Sequence, residues 1–559
     1  MAKTDSFSLN QPQTTSGYLS SWRLATVIGS LCLGIFLFGL DINIIGVAIP
    51  HITTEFKSLY DVAWYGSAYM LTITAFQPLF GNLYKYFNAK IVYLISLFTF
   101  EVGSAICAAA PVSSVLIFGR ALLGLGAAGL LQGALAIIGQ VVTVDKVPLY
   151  QGIVVSSMAI SVCFGPVIGG ALTEYASWRW CFWINVPAGV FVILVVLIFV
   201  PLGRSSNKVN GALPLREKLR HMDLPGLVLF LGTICCLLLV LTWGGQTYAW
   251  KDSKIIGLFI GFGLLLICFC FWLVRQGDVA IIPLRVLKKR SIYVGSVALL
   301  GYGILSVVYG YYLPILFQSA QGASTTESGL RYIALVGPQI VALVIVGGFV
   351  STWGYYVPYM IAGGIVCSVG AGLLTTVGLT TPTVKWAAYL VLTGLGLGMA
   401  AQLPYTALQA VLEPGDVATG NAIAVFSFHL AGAIGTAIGQ NLLISGLYHA
   451  VPRYTNAVSP AEVIQAGATG LSTVATSPEV LYALRSAYRD AVRWTIILGL
   501  AGICMTIPAA CAMEWVNIKK VAEARLRAQE SEVTVVGDSH ETSDGSEIKL
   551  NQTFEDVHT

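Results

Sequence analysis

Three ionisable residues stand in stretches where charge is costly. Asp41 lies in FGLDINIIGVAIP, Glu101 in SLFTFEVGSAIC and Arg120 in GRALLGLGAAGLLQ, each inside an apolar run of membrane length. An arginine within such a run costs about 2.5–3.5 kcal/mol on insertion scales, so it needs a partner or a water-filled cavity. Asp41 is about 17 residues from the start of its run, or roughly 25 Å at 1.5 Å per residue, which places it at a depth similar to Arg120. An ion pair there would spare both groups full desolvation, whereas an unpaired Asp41 would favour its neutral, protonated form. A carboxylate that alternates between those conditions is a proton carrier. Two plainer readings stay open: a static pair that only fixes helix packing, and an Arg120 that snorkels to the headgroups from about five residues below the surface. Glu101 reads equally as a second proton site or as a packing group.

Other polar residues in the apolar runs are candidates for a substrate path: Asn43, Gln77, Gln132, Gln402, Tyr405, Asn421 and His429. For any one of them an interhelical hydrogen bond is the alternative role. Gly124, Gly126 and Gly129 spell GxGxxG. A dinucleotide site would need a strand before these glycines, a helix opening at them and an acidic residue about 20 positions on. Here they sit inside one continuous apolar run, and Asp145 falls in a polar connection. They read as close helix packing instead.

The elements that must carry these residues follow from composition. The chain has 559 residues, 56% hydrophobic and 10% charged, with a mean hydropathy of +0.78. Soluble domains carry about 25% charged residues, so this composition calls for many membrane-spanning helices. Apolar runs fall near 24–50, 62–84, 90–110, 115–139, 150–173, 181–202, 224–243, 254–274, 292–316, 331–350, 355–377, 385–409, 421–446 and 491–513. Fourteen spans put both termini on one side. Five basic residues between Arg204 and Arg220 and five more between Arg275 and Arg290 make that side the cytoplasm. Basic tracts such as Lys288-Lys289-Arg290 flank spans and lack interleaved aromatics, so they read as topology signals and not as a nucleic-acid surface. The 11 cysteines lie in or beside apolar runs without metal-ligand spacing, and no metal site is expected.

The resulting plan is an all-α integral membrane protein. It comprises a cytoplasmic segment (1–23), a six-helix half (24–202), a linker with two extra spans (203–290), a second six-helix half (291–513) containing a long outer loop (447–490), and a disordered cytoplasmic tail (514–559). The sequon Asn551-Gln552-Thr553 falls in that tail, where it would stay unmodified. The halves repeat: a shift of 270 residues carries Gly124 and Gly126 onto Gly394 and Gly396, Gln132 onto Gln402, and Gly165 and Gly169 onto Gly435 and Gly439. Parallel repeats around a central path are transporter architecture.

These residues resemble the major facilitator superfamily, in particular the fourteen-span drug:proton antiporters of fungi, over about residues 24–513. LDINIIGVAIP is similar to the family's first-span signature, with Asn43 where threonine is usual. DVAWYGSAYMLTITAFQPLFGNLYKYF and SWRWCFWINVPAG are similar to fungal members. Ser161, Gly165, Pro166, Gly169 and Gly170 match the antiporter motif of span 5. Pro166 removes a backbone hydrogen bond and the glycines allow close helix contact; together they suggest a deformable helix pair between the halves. The resemblance implies that Asp41 and Arg120 match the family's proton-coupling aspartate and its span 4 arginine. The cytoplasmic gate loop keeps Gly81 but has Lys85 where the superfamily commonly has Asp, so a charge latch drawn from that loop does not carry over.

The expected function is a proton-coupled efflux transporter, not an enzyme, exporting small amphipathic organic compounds by alternating access. Its partners would be that substrate, protons and the lipid bilayer, with no nucleic acid. It would act as a monomer of the plasma membrane, with the vacuolar membrane as the alternative. No cofactor is expected beyond the proton gradient. The alternative function is a proton-coupled siderophore, amino-acid or polyamine transporter. An intramembrane enzyme would need a nucleophile–base pair or a His/Asp cluster at membrane depth, and none stands at suitable spacing.

Overall fold

The computed structural model describes residues 21–523 except 57–60, 143–146, 202–213, 215–217, 219–221, 246–247, 278–279, 413–415, 468–469 and 522. The expectations for Asp145, for the Asn551 sequon and for most of the tail therefore lie outside the described residues.

The described chain is helical. The first half holds α1 (Ser21–Phe56), α2 (Val62–Tyr86), α3 (Ala89–Ala109), α4 (Ser113–Val141), α5 (Val147–Tyr175) and α6 (Asn185–Phe199), the last preceded by the turn Trp180–Trp183. Two inserted helices follow, α7 (Leu224–Trp243) and α8 (Ser253–Gln276). The second half holds α9 (Arg290–Ser319), α10 (Thr325–Trp353), α11 (Val357–Leu374), α12 (Thr383–Ala400), α13 (Val417–Tyr454) and α14 (Pro478–Cys511). The apolar runs of the sequence thus fall on helices. Among the described residues twelve helices are long and apolar enough to cross a membrane. The other two, α2 and α5, are 25 and 29 residues long and pack both within the first half and against the second.

The halves are built alike. In the first, α4 packs on α2 and α3 while α1 packs on α5; in the second, α12 packs on α10 and α11 while α9 packs on α13. They meet along two seams, α2 against α13 and α5 against α10, which the 270-residue shift exchanges. Lipid offers helices no hydrophobic gain from associating, so close backbone approach must hold them together. The glycines of the apparent nucleotide motif serve that end. A Cβ on Gly126 would lie 2.4 Å from the Phe100 nitrogen of α3, one on Gly124 2.4 Å from the Tyr69 carbonyl oxygen of α2, and one on Gly129 2.8 Å from Phe80.

α7 lies over the α2–α13 seam. Trp243 meets Trp64 at 6.1 Å, Phe230 meets Phe426 at 5.1 Å, and Asn441 Nδ2 donates to the Leu241 carbonyl at 2.9 Å. α8 packs on α7 and turns Phe259, Ile260, Leu264, Ile267 and Phe271 outward, as a lipid-facing helix does.

Three expectations need correction. The run 385–409 is not one helix: α12 ends at Ala400 and a second helix runs Leu403–Val411, opened by Pro404, which cannot continue the hydrogen-bond ladder of the first. The loop expected over 447–490 is much shorter, because α13 runs on to Tyr454 and α14 begins at Pro478, with short helices Pro460–Ala466 and Leu471–Val474 between them. Hydropathy ends at the bilayer edge, but helix formation does not, and Ser459 and Ser477 supply N-caps beyond it. Finally, the tail expected from residue 514 begins with ordered chain: Ile518 N–H donates to the Gly354 carbonyl at 2.9 Å.

Candidate functional site

α1 and α4 bring Asp41 and Arg120 together. Arg120 Nη1 donates to Asp41 Oδ2 at 2.5 Å, and both side chains are wholly buried. Arg120 Nε donates to the Tyr65 carbonyl of α2 at 2.8 Å, and the guanidinium lies 4.4 Å from the centroid of Tyr69 and 6.0 Å from that of Phe182. Rings presenting their faces to a desolvated cation stabilise it further. Three helices therefore hold the arginine, and the snorkelling reading is overturned: the side chain turns into the bundle. Asp41 Oδ1 and Arg120 Nη2 are buried with no hydrogen-bond partner among the described residues. Each such group costs about 1–3 kcal/mol, so the pair is incompletely satisfied and its free carboxylate oxygen is open to a proton.

The second half reaches this pair through Tyr311 of α9. A Cβ on Gly66 would stand 3.1 Å from the Tyr311 hydroxyl, so the glycine after Tyr65 makes room for that ring. Tyr311 is within electrostatic reach of both charges. Tyr65, Tyr69 and Tyr311 were not singled out from the sequence. The signals were there: Tyr65 and Tyr69 stand four residues apart on one helical face, and the 270-residue shift carries Asp41 onto Tyr311.

Above the pair, outer groups are stapled to one another. Ser113 Oγ donates to Asp61 Oδ2 at 2.5 Å and lies 2.8 Å from the Tyr65 hydroxyl. Within SWRWCFWINVPAG, Trp178 Nε1 donates to Glu55 Oε2 at 2.5 Å, Arg179 Nη1 to Glu55 Oε1 at 2.8 Å, and Arg179 Nη2 to the Ala110 carbonyl at 3.1 Å. That segment ties together the ends of α1, α3 and α5.

The span 5 motif divides its contacts between α1 and α10. A Cβ on Gly165 would lie 2.9 Å from Asn43 Cβ and one on Gly169 2.8 Å from the Ile44 carbonyl oxygen, while one on Gly39 would overlap Ser161 Oγ. The glycines thus face α1 in their own half; Gly170 is buried as well. Pro166 meets the other half on the α5–α10 seam: a Cβ on Gly329 of α10 would stand 2.8 Å from the Pro166 carbonyl. Nearby, Thr326 donates to Glu174 Oε2 at 2.7 Å across the same seam.

The path candidates divide. Asn43 Nδ2 donates to the Gly39 carbonyl of its own helix at 2.7 Å. Gln77 Nε2 and both amide atoms of Gln132 are buried without partners among the described residues. His429 Nδ1 lies 2.8 Å from the Val425 carbonyl, its Nε2 is unpartnered, and its ring is 6.4 Å from Phe38, one turn before Asp41 on α1. Gly81 abuts the second half, where a Cβ would lie 3.3 Å from Ala422 beside the half-buried Asn421, with Gln132 Oε1 at 3.8 Å. Gln402 and Tyr405 are half-buried where α12 gives way to Leu403–Val411, away from the ion pair. Lys85 is half-buried, its ammonium 5.6 Å from the Tyr86 ring. Glu101 stands apart, against Gly189 of α6.

Comparison with known proteins accords with this arrangement. Residues 31–436 match the family profile described as Major Facilitator Superfamily. The chain is 40% identical over 523 residues to a protein named "MFS-type efflux pump MFS1" from Arthroderma benhamiae, covering 93% of this chain and 96% of that protein. It is 39% identical over 501 residues to "Efflux pump roqT" from Penicillium rubens, covering 90% and 92%. Among solved structures, a bacterial homolog of the human lysosomal transporter Spinster superposes with a TM-score of 0.60 at 16% identity, covering 89% of this chain and 98% of that one; the likeness shows the fold. The bundle of paired helical halves and these relatives together identify a multi-pass membrane transporter: the chain belongs to the major facilitator superfamily.

Proposed function

We propose that this protein exports small amphipathic organic compounds in exchange for protons, by alternating access, with fourteen membrane crossings and both termini in the cytoplasm. The carrying observation is the fully buried Asp41–Arg120 pair, whose aspartate keeps one oxygen unpartnered. A proton on Asp41 removes its negative charge and weakens its hold on Arg120. In the outward-open state Asp41 takes a proton from outside and substrate leaves. In the inward-open state the positive field of Arg120 expels that proton to the cytoplasm, and substrate enters. Coupling follows from the different affinities of proton and substrate for the two states. Half-buried aromatic side chains near the seam, Phe426, Phe428 and Tyr311, suit an apolar substrate with aromatic character. The proton gradient is the energy source, no cofactor takes part, and the protein works as a monomer in the plasma membrane.

The test uses right-side-out vesicles loaded with a fluorescent amphipathic dye. An acidified exterior should accelerate dye efflux by wild type and leave Asp41→Asn at the rate of protein-free vesicles. Equal acceleration in the Asn variant would remove Asp41 from the coupling.

A further inference from the structure

Glu101 of α3 is only 6% exposed, and neither of its carboxylate oxygens has a hydrogen-bond partner among the described residues. Every element packed around it withholds a counter-charge. From α6 it meets Gly189, where a Cβ would overlap Oε1, and α6 from Asn185 to Phe199 contains no titratable side chain. From α4 the cation is Arg120, already engaged with Asp41 and the Tyr65 carbonyl. From α1 the charge it senses is Asp41, of its own sign. On α3 itself, the Lys90 ammonium donates to the Leu197 and Val200 carbonyls at 2.8 and 2.6 Å, and Tyr93 and Cys107 are neutral groups. The adjacent donors are occupied: Asn185 Nδ2 donates to Ser104 Oγ at 3.0 Å, and Ser104 Oγ donates to the Phe182 carbonyl at 2.8 Å, while Asn185 Oδ1 has no partner among the described residues.

An ionised carboxylate without a partner is the most expensive occupant such a site could have, and the group relieves that cost by taking up a proton. The missing side chain of Gly189 is what gives the Glu101 carboxyl its space against α6. We propose that Glu101 is a second proton-binding site of the transport cycle, separate from Asp41, loaded in the conformation seen here and opened to water when α6 withdraws from α3 at Gly189. One proton is taken up from water on the outer side and the same proton is given to water on the cytoplasmic side, so the cycle moves two protons per substrate. This rests on the proton-exchange reading above.

The experiment reconstitutes the full chain in liposomes with the membrane potential clamped at zero. It finds the pH gradient that just balances a fixed dye gradient. Losing one of two coupled protons should roughly double that gradient in Glu101→Gln, whereas Glu101→Asp, which still titrates, should stay at the wild-type balance point. A coupled wild type whose balance point Glu101→Gln leaves unmoved overturns the second site while sparing the first. A wild type that shows no balance point at all overturns proton exchange itself. Should Glu101→Gln fail to fold, labelling of wild type with a hydrophobic carbodiimide, which modifies protonated buried carboxyls, decides the matter. An adduct on Glu101 at neutral pH that substrate or an alkaline shift suppresses supports the proposal, and its absence at neutral pH overturns it.

Discussion

The two halves of this protein share a skeleton and differ in charge. A shift of 270 residues carries α4, Ser113–Val141, onto the interval from Thr383 to Val411 that α12 and its continuation occupy, and the start of α5 at Val147 onto the start of α13 at Val417. The close packing repeats as well. A Cβ on Gly126 would approach the Phe100 nitrogen at 2.4 Å, and one on Gly396 the Cys367 nitrogen at 2.2 Å. Gly124 meets the Tyr69 carbonyl as Gly394 meets that of Leu335. The same shift carries Asp41, Glu101 and Arg120 onto Tyr311, Ala371 and Leu390. A bundle of this shape therefore needs its glycines in both halves but does not need charge at these three positions in both. The buried ions of the first half are not a requirement of the fold, which is why they point to function.

Breaking the pair should produce the largest effect. Arg120→Leu gives the first half the residue its counterpart already has, but strands Asp41 in a dry interior. Removing one partner of a buried ion pair costs about 3–5 kcal/mol. Arg120→Leu should therefore unfold earlier than wild type in detergent and export nothing. Adding Asp41→Asn removes the stranded charge, so the double variant should recover most of the lost thermal stability while remaining inactive in proton-driven efflux. If Arg120→Leu alone melts with wild type, the ion pair is not what holds α1, α2 and α4 in register, and the contrast between halves loses its energetic basis.

The glycine lattice should respond symmetrically and more mildly. Gly126→Ala and Gly396→Ala each push a methyl group against facing backbone, and overpacking of this kind costs about 1–3 kcal/mol. The two variants should lose similar stability, measured by thermal unfolding, and the surviving folded protein should keep its proton dependence. A large difference between them would mean that one half carries the assembly.

Those glycines and the two charges were legible in the sequence for opposite reasons. Arg120 and Asp41 stand out because the lipid phase makes any charge conspicuous, and the glycines because one offset relates so many of them. The tyrosines stayed hidden, because aromatic residues are common in spans and only the fold shows that Tyr65 offers its carbonyl, Tyr69 its face and Tyr311 its proximity from the other half. Glu101 was visible as a carboxylate, but whether it had a partner depends on α6, which no spacing reveals. The ends of α13 and α14 were misjudged because hydropathy reports the bilayer and not the helix. Pro404 was in plain view, yet spans such as α5 and α9 run through prolines; the break at Gln402 depends on tertiary context. The shift places Ala134 opposite Pro404 in the unbroken α4.

The smallest effect sharpens the contrast at the surface. Glu55 lies past the membrane-spanning part of α1, which ends at Ile49, and its counterpart under the shift is Thr325, while that of Arg179 is His449. The outer staple therefore belongs to the first half alone. Partial burial pushes the Glu55 carboxyl up, but the hydrogen bond from Trp178 and the hydrogen bond and charge of Arg179 outweigh it and hold it below the ordinary glutamate range. A carboxyl held low in the folded state stabilises that state above its ordinary range and loses the contribution as pH falls through the lowered value. Glu55 is 45% exposed and Arg179 30%, so solvent screens the pair and the effect is at most about 1 kcal/mol. Glu55→Gln should melt slightly below wild type at neutral pH, and the two curves should converge as the medium is acidified past the glutamate range. A gap that stays constant down the acid limb would assign the staple to the Trp178 hydrogen bond and packing alone, without a titrating charge.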